Sequence, residues 1–141
     1  MTHLLDVSVL LALADSKHVA HDKASDWFHN RPDVSWATCP LTENGFVRIM
    51  SQPAYQNVDL NAEQVRQLLT TMCALPGHQF WPDAISIRNL SLLPKLPGFR
   101  QLTDLYLLAL ATKRQARFAT LDARIEPALV PGGPQAFHLI R

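Results

Sequence analysis

Residues 102–122 read LTDLYLLALATKRQARFATLD, and this stretch decides the fold class. The apolar run after Thr103 predicts a helix over Asp104–Arg114, with Thr103 as its N-terminal cap. The pattern then changes to a short run, and Arg117–Thr120 is predicted to be a strand, followed closely by Asp122. A helix that leads into a short strand is the repeating unit of a parallel sheet wrapped by helices.

The same alternation extends over the rest of the chain. Four more strands are predicted, the last of them at an edge of the sheet: His3–Leu5, Val34–Cys39, His78–Trp81 and Ala136–Ile140. Helices are predicted between them: one capped by Ser8, His18–His29, Leu41–Met50, one that begins at the capping pair Asn61 and Gln64, and Asp83–Leu93.

Composition narrows the class of protein. The chain has 141 residues, 48% hydrophobic and 18% charged, which is typical of one globular domain with one core. A net charge of +1 excludes a uniformly basic surface, so a polyanion would have to bind through a local patch. The apolar runs are too short for a membrane span, and the start lacks the basic stretch of a signal peptide, so we expect a cytoplasmic protein.

Cys39 and Cys73 show no metal-binding spacing and are predicted to be buried thiols.

Four acidic residues lie where these predicted elements begin or end: Asp6, Glu43, Asp104 and Asp122. In an open α/β sheet, the carboxyl ends of the strands and the adjoining helix starts meet at one rim, where ligands bind. The four side chains can therefore converge from distant parts of the chain. The alternative is that each acid separately stabilises a helix terminus or a turn.

Convergent carboxylates repel one another and need either a proton or a cation. Mg²⁺ and Mn²⁺ prefer oxygen ligands, and such ions activate water during phosphodiester hydrolysis. The four acids therefore predict the metal ligands and catalytic groups of a nuclease. Ser8 and Thr120, each two residues from an aspartate, are predicted to orient the carboxylates through hydrogen bonds. Helix capping is an alternative role for Ser8.

Four segments resemble the PIN-domain toxins of VapBC toxin–antitoxin systems, in the same order and with similar separations. They are LLDVSVLLALA from Leu4, HVAHDKASDWF from His18, LTENGFVRIMSQP from Leu41, and residues 102–122. The resemblance covers nearly the whole chain. It implies a single PIN domain over residues 1–141, an α/β/α sandwich whose central, mainly parallel sheet has about four to five strands.

The resemblance also implies an activity and partners. It implies a type II toxin, an Mg²⁺- or Mn²⁺-dependent endoribonuclease that cleaves an RNA such as a transfer or ribosomal RNA loop. Its site residues would be Asp6, Glu43, Asp104 and Asp122. A cognate VapB-like antitoxin would occupy an apolar groove near the site, and the toxin would form a homodimer.

Two basic residues bear on this resemblance. Many relatives carry a second acid at the position of Arg124, so the resemblance favours Asp6 and Asp104 as the main ligands and puts a second ion in question. Arg48, in the ENGFVR stretch, is the basic residue proposed to contact RNA phosphates.

Two other classes of function fit the pattern less well. A phosphoacceptor signalling domain would have paired acids after the first strand and a lysine after the last, whereas this chain has only Asp6 and no such lysine. A catalytically silent PIN-fold binding module would not need to retain all four acids.

Overall fold

The computed structural model describes residues 1–33 and 35–141, and its centre is a parallel sheet. Five strands form this sheet in the described part of the chain: β1 (His3–Leu5), β2 (Trp36–Thr38), β3 (His78–Phe80), β4 (Arg117–Thr120) and β5 (Phe137–Leu139). Their order is β3-β2-β1-β4-β5, and every adjacent pair is parallel. The prediction of a mainly parallel sheet with β5 at an edge is confirmed.

Helices cover both faces of the sheet. They are α1 (Val7–Ala14), α2 (His21–His29), α3 (Pro40–Met50), α4 (Ala62–Cys73), α5 (Leu102–Lys113) and the short α6 (Gly133–Ala136). Successive residues of a strand point to opposite faces. Leu5 accordingly packs in the core that contains α1, α3 and α4, whereas Leu4 packs in the core that contains α5. The predicted α/β/α sandwich is confirmed.

The described helices include none that is long and apolar enough to cross a bilayer.

The predicted helix over Asp83–Leu93 is wrong. This segment forms turns instead, in which the Asn89 side-chain oxygen accepts hydrogen bonds from the backbone amides of Ser91 and Leu92. The Ser86 hydroxyl likewise accepts from the amide of Arg88. Such local bonds from serine and asparagine side chains compete with the helical ladder, and they explain why the apolar periodicity was misleading.

Two predicted helix caps are also wrong. The N-cap of α1 is Asp6, because β1 runs directly into the helix, and Ser8 lies within its first turn. The N-cap of α5 is Gln101, because a 3₁₀ turn over Phe99–Gln101 continues into the helix and places Thr103 inside it.

Other boundaries differ less. Helix α2 begins at His21 rather than His18, since the Nδ1 atom of His18 accepts a hydrogen bond from the backbone amide of Ala20 in a preceding turn. Val34, the predicted start of β2, lies outside the described residues. The capping pair of α4 is confirmed, with reciprocal bonds of 2.8 and 2.9 Å between Asn61 and Gln64.

Close packing of α1 against α3 sets the geometry near the rim. A Cβ atom placed on Gly45 of α3 would lie 2.8 Å from a methyl group of Val7, so only glycine allows this approach. Asp6 precedes α1 and Glu43 belongs to α3, and this contact therefore limits how far apart the two helix starts can lie.

Candidate metal centre

Asp6 lies at the centre of the sheet rim. It directly follows β1, and its backbone amide donates to the carbonyl of Ala119 on the adjacent β4 at 2.9 Å. The residue is only 5% exposed. Its Oδ2 atom accepts hydrogen bonds from Thr120 Oγ1 at 2.7 Å and from Ser8 Oγ at 3.0 Å. Two hydroxyl groups thus fix one buried carboxylate.

Asp104 reaches the same place from the first turn of α5, where it is half-buried. Burial, followed by the charges of Asp6 and Asp122, raises the pKa of Asp104 to about 7. Burial also raises the pKa of Asp6, against the opposing effect of its hydroxyl donors. The charge of Asp6 is thus one cause of the raised pKa of Asp104, which means that the two carboxyl groups interact.

Asp122 joins this group from the loop after β4. Its backbone amide donates to Thr120 Oγ1 at 3.0 Å, which ties the loop to the hydroxyl that holds Asp6. Both of its oxygens accept from the guanidinium of Arg124, at 3.0 and 2.9 Å. These bonds lower the pKa of Asp122. Asp122 is therefore ionised and already paired.

Glu43 has a different set of neighbours. Its Oε2 atom accepts a hydrogen bond of 2.7 Å from Thr38 Oγ1 at the end of β2. Its carboxylate, the thiol of Cys73 and the imidazole of His78 place ligand atoms within 4.8 Å of one another. Asp6 and Asp122 thus lie close enough to Asp104 for their charges to raise its pKa, whereas Glu43 lies with a thiol and an imidazole.

The three aspartates supply only carboxylate oxygens to this part of the rim. Their carboxylate oxygens are the ligands that Mg²⁺ and Mn²⁺ prefer. A bound cation would also offset the repulsion that raises the pKa of Asp104. The oxygens of Asp122 are engaged by Arg124, so the assignment of Asp6 and Asp104 as the main ligands stays a prediction.

Arg48 is exposed and lies in the last turn of α3. It is five residues beyond Glu43, which corresponds to about 7.5 Å along the helix axis. Its proposed contact with RNA stays a prediction.

Sequence reasoning missed the grouping of Cys73 and His78 with Glu43. Cys39 is buried as predicted, but Cys73 is only half-buried. The spacing from Cys73, at the end of α4, to His78, at the start of β3, is the signal that could have revealed the group.

Asp15 was also missed. It is 2% exposed at the end of α1, and it accepts hydrogen bonds from Tyr55 Oη at 2.5 Å, from Asn57 Nδ2 at 2.7 Å and from the amide of Lys17 at 3.0 Å. These bonds hold the loop after α3 against α1, which is a structural role.

Comparison with known proteins places this chain in a family. The PIN domain family matches residues 3–128. Ribonuclease VapC44 of Mycobacterium tuberculosis is 40% identical over 134 residues, which cover 94% of each chain. Ribonuclease VapC38 of the same species is 39% identical over 122 residues, or 86% of each chain.

A solved structure agrees with these matches in fold. The crystal structure of Mycobacterium tuberculosis VapC20, described as a sarcin-ricin loop cleaving toxin, superposes with a TM-score of 0.62. The match covers 92% of this chain and 96% of that one at 9% sequence identity, so it bears on the fold alone. From the family match and the relatives of about 40% identity, the chain belongs to the PIN-domain family and, within it, to the VapC ribonucleases.

Proposed function

We propose that this protein is the toxin of a type II toxin–antitoxin system, an endoribonuclease that hydrolyses RNA phosphodiester bonds with Mg²⁺ or Mn²⁺. The observation that carries the proposal is the Asp6–Asp104 pair at the sheet rim, in which burial and mutual repulsion raise the pKa of Asp104 to about 7. The relatives named as ribonucleases support the reaction. They do not favour a phosphoacceptor domain or a silent binding module.

Each residue of the rim has a role in this proposal. Asp6 and Asp104 hold the cation, and the hydroxyls of Ser8 and Thr120 keep Asp6 oriented before it binds. When bound, the cation would supply positive charge to the scissile phosphate and lower the pKa of the attacking water.

Asp122 and Glu43 complete the proposed acidic set. Asp122 contributes charge while paired with Arg124, whose largely exposed guanidinium is available to an RNA phosphate. Glu43 would have to turn from Thr38 to reach the aspartates. Arg48 remains the second candidate for a phosphate contact.

The proposal includes partners. A groove of about 760 Å³ beside α3 and α4, lined in part by Val47, Leu69 and the 55% exposed Phe80, suits an apolar segment of a VapB-like antitoxin. The homodimer is proposed from the family resemblance, and the largely exposed Leu90 and Phe99, 73% and 83% accessible, are candidate residues for its interface. We further propose that residues 1–141 form a single domain that acts in the cytoplasm.

RNA digestion tests the proposal. Transfer RNA and a ribosomal RNA stem-loop are incubated separately with the purified protein, with Mg²⁺, with Mn²⁺ or with a chelator. We expect cleavage of at least one RNA only when a divalent ion is present. Asp6→Asn and Asp104→Asn should each lower the rate at least about a hundredfold.

Asp22→Asn is the matched control, because Asp22 is an exposed acid on α2. It should cleave like the unmodified protein. Cleavage in the presence of the chelator, or full cleavage by either rim variant, would contradict the proposal.

A further inference from the structure

A second group of metal-binding side chains lines the groove beside α3 and α4. Glu43 comes from the first turn of α3, Cys73 is the last residue of α4, and His78 is the first residue of β3. Their ligand atoms lie within 4.8 Å of one another, and all three residues are half-buried and line the groove. Three separate elements of the fold thus bring a carboxylate, a thiol and an imidazole to one accessible place.

Thr38 organises this group from the floor of the groove, where it is fully buried. Its hydroxyl donates to Glu43 Oε2 at 2.7 Å and also lies 2.8 Å from His78 Nε2. A hydroxyl has one proton, and here the carboxylate accepts it, so Nε2 of the imidazole must be the donor in the second bond. The carboxylate and the imidazole are therefore both hydrogen-bonded to one hydroxyl group before an ion binds.

The mixture of donor atoms selects the kind of metal. Sulfur and imidazole nitrogen are poor ligands for Mg²⁺ but good ligands for Zn²⁺ and related transition metals. Tetrahedral zinc has bonds of about 2.0 to 2.3 Å to such ligands, which places the ligand atoms about 3.5 Å from one another. Side-chain rotations are therefore enough to close the group around an ion. Three protein ligands would leave a fourth position for water.

We propose that Glu43, Cys73 and His78 bind a transition-metal ion, for which Zn²⁺ is the best fit, and that its binding inhibits RNA cleavage. The inhibition follows because a zinc-bound Glu43 cannot turn toward Asp6 and Asp104. The binding stands on its own geometry, whereas the inhibition rests on the proposed function.

Cobalt binding tests the site directly, since Co²⁺ replaces Zn²⁺ and absorbs strongly when bound to a thiolate. The protein is titrated with Co²⁺ under a phosphine reductant, after each variant has been shown to unfold at a temperature near that of the unmodified protein. We expect the thiolate absorption to saturate at one Co²⁺ per chain. Cys73→Ser should abolish it, and His78→Gln should weaken binding at least about tenfold.

Cys39→Ser is the matched control, because Cys39 is the chain's other thiol and is buried beside Thr42. This variant should keep the absorption. A thiolate signal that persists in Cys73→Ser, or that disappears in Cys39→Ser, would overturn the site.

Cleavage assays test the inhibition. Zn²⁺ added to the Mg²⁺-supported reaction should inhibit the unmodified protein, and the concentration for half-inhibition should rise at least about tenfold in Cys73→Ser. With Mg²⁺ alone this variant should cleave normally. Equal zinc sensitivity of the two proteins would overturn the inhibition. Absence of cleavage by the unmodified protein with Mg²⁺ would instead contradict the proposed function, while the cobalt result would still decide the site.

Discussion

Replacing Asp104 with asparagine should lower the cleavage rate at least about a hundredfold and, without divalent ions, make the protein more stable above neutral pH. An amide removes the negative charge that burial and Asp6 disfavour, and it can still donate a hydrogen bond to the Asp6 carboxylate. Stability and activity should therefore change in opposite directions.

The size of the effect follows from the pKa. The pKa of Asp104 rises from an ordinary value of 3.8 to about 7, which corresponds to about 4 kcal/mol between its two protonation states. Because Asp104 is partly exposed, solvent screening reduces this to about 2 kcal/mol. An acid with a raised pKa contributes stability below its unfolded pKa and loses it as the pH rises toward the folded value. The loss for Asp104 thus falls between about pH 4 and pH 7.

Unfolding is measured with urea and by thermal scans, in a chelator, at about pH 5 and about pH 8. At the higher pH, Asp104→Asn should gain about 2 kcal/mol over the unmodified protein, or roughly 4 to 8 °C in Tm. At the lower pH, where Asp104 is largely protonated, most of the difference should disappear. Saturating Mg²⁺ should then stabilise the unmodified protein but not the variant.

Asp122→Asn is the matched comparison, since Arg124 lowers the pKa of Asp122. Replacing this aspartate with asparagine should not increase the free energy of unfolding at either pH. The reasoning fails if Asp104→Asn alters stability equally at both pH values, or if Asp122→Asn gains as much.

Other contacts of the Asp6–Asp104 pair give further expected outcomes. Thr120→Val should lower initial cleavage rates about tenfold to a hundredfold, because the hydroxyl that donates to Asp6 is lost. Thr120→Ser keeps a hydroxyl and should retain the rates. Equal rates for the two variants would exclude a role of the hydroxyl in orienting Asp6. Arg124→Ala should tighten Mg²⁺ binding severalfold in calorimetry, since it releases both oxygens of Asp122, and unchanged affinity would show that Asp122 is not a ligand. Mg²⁺ binding at about pH 6 should release close to one proton, as calorimetry in buffers of different ionisation enthalpy would detect, because Asp104 is largely protonated at that pH. Binding without proton release would contradict the raised pKa of Asp104.

Much of the fold could be predicted because local pattern and tertiary structure agree. Strand β4 and helix α4 match their sequence signals closely, including the capping pair at Asn61 and Gln64. Residues 83–93 could not be predicted in this way. Their apolar spacing suggests a helix, but Ser86 and Asn89 bond the nearby backbone, and only Leu93 of this segment is buried.

The rim could be predicted because it depends on backbone topology. Parallel strands place their carboxyl ends at one edge, and β1 and β4 are neighbours, so Asp6 and Asp122 lie near each other whatever their rotamers. The position of the Glu43 carboxylate depends instead on the rotamer of its side chain. Its carboxylate accepts a hydrogen bond from Thr38, which connects β2 to α3. Apolar periodicity in the sequence cannot predict such a bond between two polar side chains.

Burial alone does not separate structural acids from functional ones in this protein. Burial acts to raise the pKa of Asp15, but donors from Tyr55 and Asn57 lower it overall, so its charge is satisfied by the protein itself. At Asp104, burial is the largest cause of the change, the charges of Asp6 and Asp122 add to it, and the pKa rises to about 7. A partly buried acid that is surrounded by acids reduces stability unless something positive joins it. The pKa thus changes in opposite directions at Asp15, where the protein supplies hydrogen-bond donors, and at Asp104, the proposed metal ligand.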